Sequence, residues 1–373
     1  MCSSRCRSRL FIAWIALLLV LIGLGLAATL RQWEQGLMLT NLSRQMSWGL
    51  YIGAFTFLVG IAASALAPSV LALYGAVPRS LALYGEALAV AAVLTAMLCV
   101  TVDLGRPQLL LNILLHPSPT SPMFWDFLAL GLYCVLNLIL LRTALEARSQ
   151  GLPEPRWMRP LALAAIPLAV AIHTITAFIY AGLPDRSYWL SAILAARFLA
   201  SALCSGPAVL LLGLFLLQRL TSLRRFVPAP RPLLHWIGWS LALHCFFFGL
   251  ELFTVYFSGL PEAEPFTRLF TGSGSLWFVS AWILAGIALI LLLPAFRKAL
   301  PLTLALIVVA VWLDKAPGMM RGGFNPDPFG IPIVYTPSVT EVFILLGTFS
   351  TGLLCLTFLW RTIAQHHNFL YES

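Results

Sequence analysis

Long apolar runs separated by short polar breaks make up most of this chain. The runs near 9–30, 50–73, 82–103, 123–142, 160–181, 190–217, 233–257, 275–296, 299–314 and 338–361 approach the length a helix needs to cross ~30 Å of hydrocarbon. Ten spans follow, and the expected fold class is an all-α integral membrane protein. The ninth run is short and contains Pro301, which predicts a tilted helix or one packed inside the bundle. The first run follows Arg5, Arg7 and Arg9 as a signal peptide's would. Thr29-Leu30-Arg31-Gln32-Trp33 after it is no small-residue cleavage site, however, so a retained helix is expected.

Composition agrees with this pattern. The 373 residues are 60% hydrophobic and 10% charged, far from the roughly 25% charged residues of soluble domains. If the N-terminus lies in the cytoplasm, most Lys and Arg fall on that side, among them Arg79, Arg142, Arg148, Arg156, Arg159, Arg219, Arg224, Arg225, Arg231, Arg297, Lys298 and Arg361. The opposite side holds Arg31, Arg44, Arg106, Arg186, Arg268, Lys315 and Arg321. The positive-inside rule then places both termini in the cytoplasm. The net charge of +9 reads as topology and attraction to anionic lipid, not as a nucleic-acid footprint.

Cysteine and histidine spacing offers no cluster motif. Cys2, Cys6, Cys99, Cys134, Cys204, Cys245 and Cys355 form no CxxC pair, and Cys2 and Cys6 are expected as free thiols rather than acylation sites. Only His173 and His244 lie deep in spans, so neither haem nor an iron–sulfur cluster of the chain's own is expected. Any electrons would enter or leave through a partner. The longest breaks, 143–159, 221–233 and 314–337, are read as two cytoplasmic connectors and one turn-rich outer loop carrying Asn325 to Gly330.

Charged side chains inside a membrane are costly and rare, so each is weighed. Ser338 and Glu341 have the spacing of a capping box. Arg197 is expected to pair with a buried carboxylate. His244 and Glu251 share one helix face, as a proton path or as a static hydrogen-bond set. Glu86 is near a helix start and in reach of the interface, Asp185 and Arg186 form a loop pair, and His173 is a lone histidine in mid-span.

Asp103 and Asp126 stand apart. Asp103 closes one helix, with Gly105 and Pro107 expected to supply the stop. Asp126 lies about one turn inside the next, behind Ser121 as N-cap and Pro122. Consecutive antiparallel helices put both carboxylates near the outer interface, where helix-end fields of opposite sign act on them. Two acids held in different environments suit stepwise acceptance of the two protons released when a hydroquinone is oxidised. The plainer alternative pairs Asp103 with Arg106 and leaves Asp126 to the amides at its helix start.

At these residues the chain resembles the NrfD, or polysulfide reductase membrane-subunit, family. The similarity rests on Asp103-Leu104-Gly105-Arg106-Pro107, on Ser121-Pro122-Met123-Phe124-Trp125-Asp126 and on His173-Thr174. Trp48-Gly49-Leu50-Tyr51-Ile52, Asp314-Lys315 and Tyr335-Thr336-Pro337-Ser338-Val339-Thr340-Glu341 are similar to the ten-helix branch typified by DsrP and HmeB. The resemblance implies two four-helix bundles, about 49–181 and 190–314, flanked by helices 9–30 and 338–361. It also implies an exchangeable menaquinone or ubiquinone near the outer face, bound at Asp103 and Asp126; Arg106, Trp48 and Tyr51 are further binding candidates, and His116, which departs from the Asn-Pro of many relatives, is a candidate for the rim only. Asp103, Asp126 and His173 would handle protons. Implied partners are a periplasmic ferredoxin-like iron–sulfur subunit and further cytochrome and iron–sulfur subunits of a respiratory complex in a bacterial inner membrane. The rival readings are a proton-coupled transporter, which would show broken helices at the midplane of two matching halves, and a structural anchor, which needs no buried acids.

Overall fold

The structure, a computed structural model, describes residues 4–43, 46–183, 186–220, 230–257, 259, 263–272, 275–324 and 335–367. Cys2, Arg44, Asp185, Arg224, Arg225 and the segment Asn325 to Gly330 lie outside the described residues. The others form helices α1 (Ser4–Gln35), α2 (Leu50–Ala62), α3 (Leu66–Leu73), α4 (Arg79–Asp103), α5 (Asn112–Leu115), α6 (Pro122–Ser149) and α7 (Met158–Ala181). These are followed by α8 (Ile193–Leu220), α9 (Arg231–Phe257), α10 (Ala263–Thr271), α11 (Ser275–Leu291), α12 (Leu300–Leu313), α13 (Met319–Gly323) and α14 (Val339–His367). Among the described residues, nine helical segments are long and apolar enough to cross a membrane. The remaining expected span is helical over α11, with 17 residues. The chain is a multi-pass integral membrane protein.

The central helix is α2 with α3. Residues 53 to 68 are all buried, as befits a helix that is apolar on every side. Pro68 has no N–H to offer the Ser64 carbonyl, and the helix tightens into a 3-10 turn at Ala63–Ala65 just before it. Gly206 of α8 meets that turn so closely that a Cβ there would lie 2.8 Å from the Ser64 nitrogen. Around this centre pack α4, α7, α8 and α9, and α6 packs on α4 and α7. Helices α1 and α14 cross at Gly25 and Gly347, where a Cβ on Gly25 would come within 2.6 Å of the Gly347 Cα. Small residues let membrane helices approach this closely.

The structure corrects the ninth span and the loop after it. Instead of ending near Asp314, the helix runs from Pro294 to Gly323. A π-helical turn over Asp314–Gly318 joins α12 to α13. Pro317 cannot donate to the carbonyl of Leu313, and the wider turn carries the helix past that missing bond. The first ten residues of the expected outer loop are therefore helical, and Asp314 and Lys315 are buried instead of facing water.

Candidate functional site

Helix α4 ends at Asp103 by passing into extended backbone at Leu104 (φ −72°, ψ 126°). No glycine there takes a left-handed conformation, so Gly105 does not supply the stop, and Pro107 opens a separate 3-10 turn. Asp103 is half-buried, and its Oδ1 is buried without a hydrogen-bond partner among the described residues. Arg106 is exposed, and no ion pair among the described residues joins it to Asp103. The last turn of α4 is instead tied to two other helices. The fully buried Tyr51 donates its hydroxyl to Gln32 Oε1 at 2.9 Å, and Gln32 Nε2 donates to the Val102 carbonyl at 2.7 Å.

Asp126 sits where expected, behind Ser121 at the N-cap and Pro122 at the first position of α6. It is buried, and its partner is a side chain of the neighbouring helix. The Thr176 hydroxyl lies 2.6 Å from Asp126 Oδ1 and 2.7 Å from the Ile172 carbonyl of its own helix. One turn on, the Tyr180 hydroxyl meets Thr56 Oγ1, which donates to the Ile52 carbonyl at 2.8 Å. Asp103 ends α4 and Asp126 lies in the first turns of α6, helices that pack side by side, and Tyr180 is within electrostatic reach of both at this end of the bundle. Trp48 walls it, edge-on to Tyr180 at 5.3 Å and stacked with Trp189 at 5.4 Å. His116 is exposed in the connection between α4 and α6.

Glu341, at the start of α14, closes the same region. Ser338 and Glu341 form the expected capping box, with the Ser338 amide donating to Glu341 Oε2 at 2.8 Å and the Glu341 amide to Ser338 Oγ at 3.2 Å. The Asn41 amide and the Tyr335 hydroxyl also donate to this carboxylate, at 3.1 and 2.5 Å. Burial and the neighbouring Glu341 push the Tyr335 phenol well above its ordinary pKa, so it stays a donor. Asp103 and Tyr51 both lie within electrostatic reach of Glu341.

His173 is buried one turn below Thr176. Its Nδ1 lies 2.7 Å from the Ala169 carbonyl, which requires the proton on Nδ1 and leaves Nε2 as an acceptor without a partner among the described residues. It is within electrostatic reach of Lys315. Beyond Lys315 lies a second buried cluster. Arg197 binds Glu251 through Nη1, and through Nη2 reaches Asp314 Oδ1 at 3.1 Å and the Tyr188 hydroxyl at 3.2 Å. His244 Nε2 stands 3.6 Å from the other Asp314 oxygen. Arg197 thus has the carboxylate partner expected of it. Glu86 is fully buried and paired with Arg79 at 2.5 Å rather than reaching the interface. Lys315 Nζ sits over the Phe198 ring, 3.4 Å from its centre, and Arg186 covers Phe324.

Sequence reasoning missed Gln32, Thr176, Tyr180 and Lys315. A signal existed for two of these, because His173, Thr176 and Tyr180 recur at helical spacing along one face. Lys315 stood out only through the Asp314-Lys315 similarity, since a lysine beside Pro317 and Gly318 has the composition of a turn.

The sequence profile of the family described as "Polysulphide reductase, NrfD" matches residues 38–322, which take in Trp48, both aspartates, His173 and the Arg197 cluster. The chain belongs to this family. Among curated relatives of the NrfD chain is a putative membrane subunit of a dimethyl sulfoxide reductase from Halobacterium salinarum, 28% identical over 91% of this chain and 88% of its own. An Hdr-like menaquinol oxidoreductase integral membrane subunit of Archaeoglobus fulgidus is 27% identical over 75% of this chain and 69% of its own. A selenate reductase subunit of Mesobacillus selenatarsenatis is 25% identical over 48% of this chain and 50% of its own.

Proposed function

We propose that this NrfD protein is the quinol-binding membrane subunit of a respiratory electron-transfer complex, with its site between the ends of α2, α4, α6 and α7. The observation that carries this reading is the pair of acids around Tyr180, one with an unpartnered buried oxygen and one on a hydroxyl relay. A quinol hydroxyl, which donates, fits those acceptor oxygens. Bound there, a quinol supplies two electrons and two protons.

The residues divide the work. Asp103 Oδ1 accepts a hydrogen bond from one ring hydroxyl. Asp126 takes a proton without losing its partner: ionised, it accepts from Thr176; protonated, it donates to Thr176, whose own proton turns to the Ile172 carbonyl. His173, with Nε2 bare, is the next acceptor along the same helix. Trp48 and Tyr51 wall and orient the ring, and Arg106 and His116 stand at the rim.

The electrons go to a partner, which we assign as a periplasmic ferredoxin-like iron–sulfur subunit of a DsrP-like, sulfur-cycle complex. The chain would lie in a bacterial inner membrane with both termini in the cytoplasm. One relative's name, a menaquinol oxidoreductase subunit, supports menaquinol as the donor, and the uneven distribution of Lys and Arg supports the orientation.

The deciding experiment measures quinone content and quinol-analogue binding in the purified chain and in its Asp103→Asn and Asp126→Asn variants. Saturable binding that either change weakens is expected. Binding equal in all three folded proteins would sink the assignment.

A further inference from the structure

On the face opposite Asp103 and Asp126, the ends of three spans border an open cavity. Leu73 closes the span Leu50–Leu73, Arg79 opens α4 and Met158 opens α7. The cavity measures about 590 Å³, and its wall includes Leu73, Ala162, Arg79, Glu154, Arg156 and Arg159. Three arginines stand against one glutamate, and that glutamate is already engaged. Arg79 Nε lies 3.2 Å and Arg148 Nη2 3.9 Å from the Glu154 carboxylate, while Arg79 also holds Glu86. Arg156 and Arg159 are exposed and enter no ion pair among the described residues.

The backbone fixes these two arginines in place. The Met158 amide donates to the Pro155 carbonyl at 3.0 Å and the Arg159 amide to the Arg156 carbonyl at 3.4 Å, so both sit in the turn that opens α7. Those two amides are thereby spent and Pro160 has none, so the positive field at this rim is that of the arginine side chains. Trp157, half exposed beside them, is the kind of residue that marks a headgroup level. Cations and the apolar Leu73 and Ala162 line the same cavity, which therefore offers contacts for both a phosphate and a hydrocarbon chain.

We propose that this cavity binds an anionic glycerophospholipid, its phosphate between Arg156 and Arg159 and an acyl chain against Leu73 and Ala162. Basic pockets between transmembrane helices recognise anionic headgroups in this way. The site is separate from the quinol-binding region and does not depend on that reading.

The test uses the purified, delipidated full chain in a neutral detergent. Phosphatidylglycerol, phosphatidylcholine or inorganic phosphate is titrated in, and both the unfolding midpoint and the lipid retained by native mass spectrometry are followed. Saturable binding of phosphatidylglycerol is expected, with little response to phosphatidylcholine or phosphate. Arg156→Gln with Arg159→Gln should weaken it about thirtyfold. Ala162→Phe, which fills space at the apolar wall and leaves the charge intact, should weaken it too and serves if the double variant does not fold. Arg142→Gln, outside the cavity, should match the unchanged protein. Unaltered phosphatidylglycerol binding in the double variant, or in Ala162→Phe where the double variant does not fold, overturns the proposal. So does equally tight binding of inorganic phosphate, which would make the site one for a soluble phosphate ligand.

Discussion

Thr176 and Asp126 share one proton across a helix boundary, their oxygens 2.6 Å apart and both buried. The second contact of Thr176, 2.7 Å to the Ile172 carbonyl, is what makes the pair useful. It gives the hydroxyl proton a place to go when the carboxylate is itself protonated, so neither charge state leaves a buried group unpaired.

Replacing Thr176 with Val keeps the volume and removes this relay. A hydrogen bond to a charged group is worth ~1.5–3 kcal/mol, so quinol-dependent electron transfer in the assembled complex should fall about ten- to a hundredfold. Thr176→Ser should restore most of it. Equal turnover in Thr176→Val and the unchanged protein would remove Asp126 from the proton route.

The buried cluster around Arg197 balances Arg197 and Lys315 against Glu251 and Asp314. Arg197→Met leaves two carboxylates against one ammonium and should cost ~3–5 kcal/mol, read as poor accumulation in membranes and a lower unfolding midpoint in detergent. Adding Glu251→Gln restores the balance of charge, one carboxylate to one ammonium, and should recover much of the loss. Failure of that rescue would mean the geometry of the guanidinium, rather than its charge, is what the bundle needs.

Glu341 accepts from the Ser338 and Asn41 amides and from Tyr335. Glu341→Ala strands three donors and should cost at least ~2 kcal/mol. Glu341→Gln keeps one acceptor oxygen and should fall between. The order of unfolding midpoints, with Gln above Ala, checks this.

At the crossing of α1 and α14, Gly25 and Gly347 leave no room for a side chain. Gly347→Leu should push α1 off the bundle and strain the Tyr51–Gln32–Val102 tie at the end of α4. The expected result is faster proteolysis of the N-terminal segment together with weaker quinol-analogue binding. A change that lowers neither would show that α1 does not brace the site.

The sequence by itself determined the apolar helices, apart from the bounds of the ninth, and the positions of the two aspartates at the end of one helix and the start of the next, because a hydrocarbon solvent forces apolar runs to satisfy their own backbone hydrogen bonds. The Ser338–Glu341 cap was equally legible, since it is local. What only the tertiary structure decided is which polar groups meet. Thr176 reaches Asp126 because α6 and α7 pack side by side, and Gln32 joins Tyr51 to Val102 because α1 folds back from a distant part of the chain. Lys315 was misread for a different reason: Pro317 and Gly318 signal a turn, but packing against α2 and α11 holds them in a π-helical one. Periodicity records what faces lipid and what faces protein, whereas a hydrogen bond between helices depends on crossing angle and register, which no single run of residues contains.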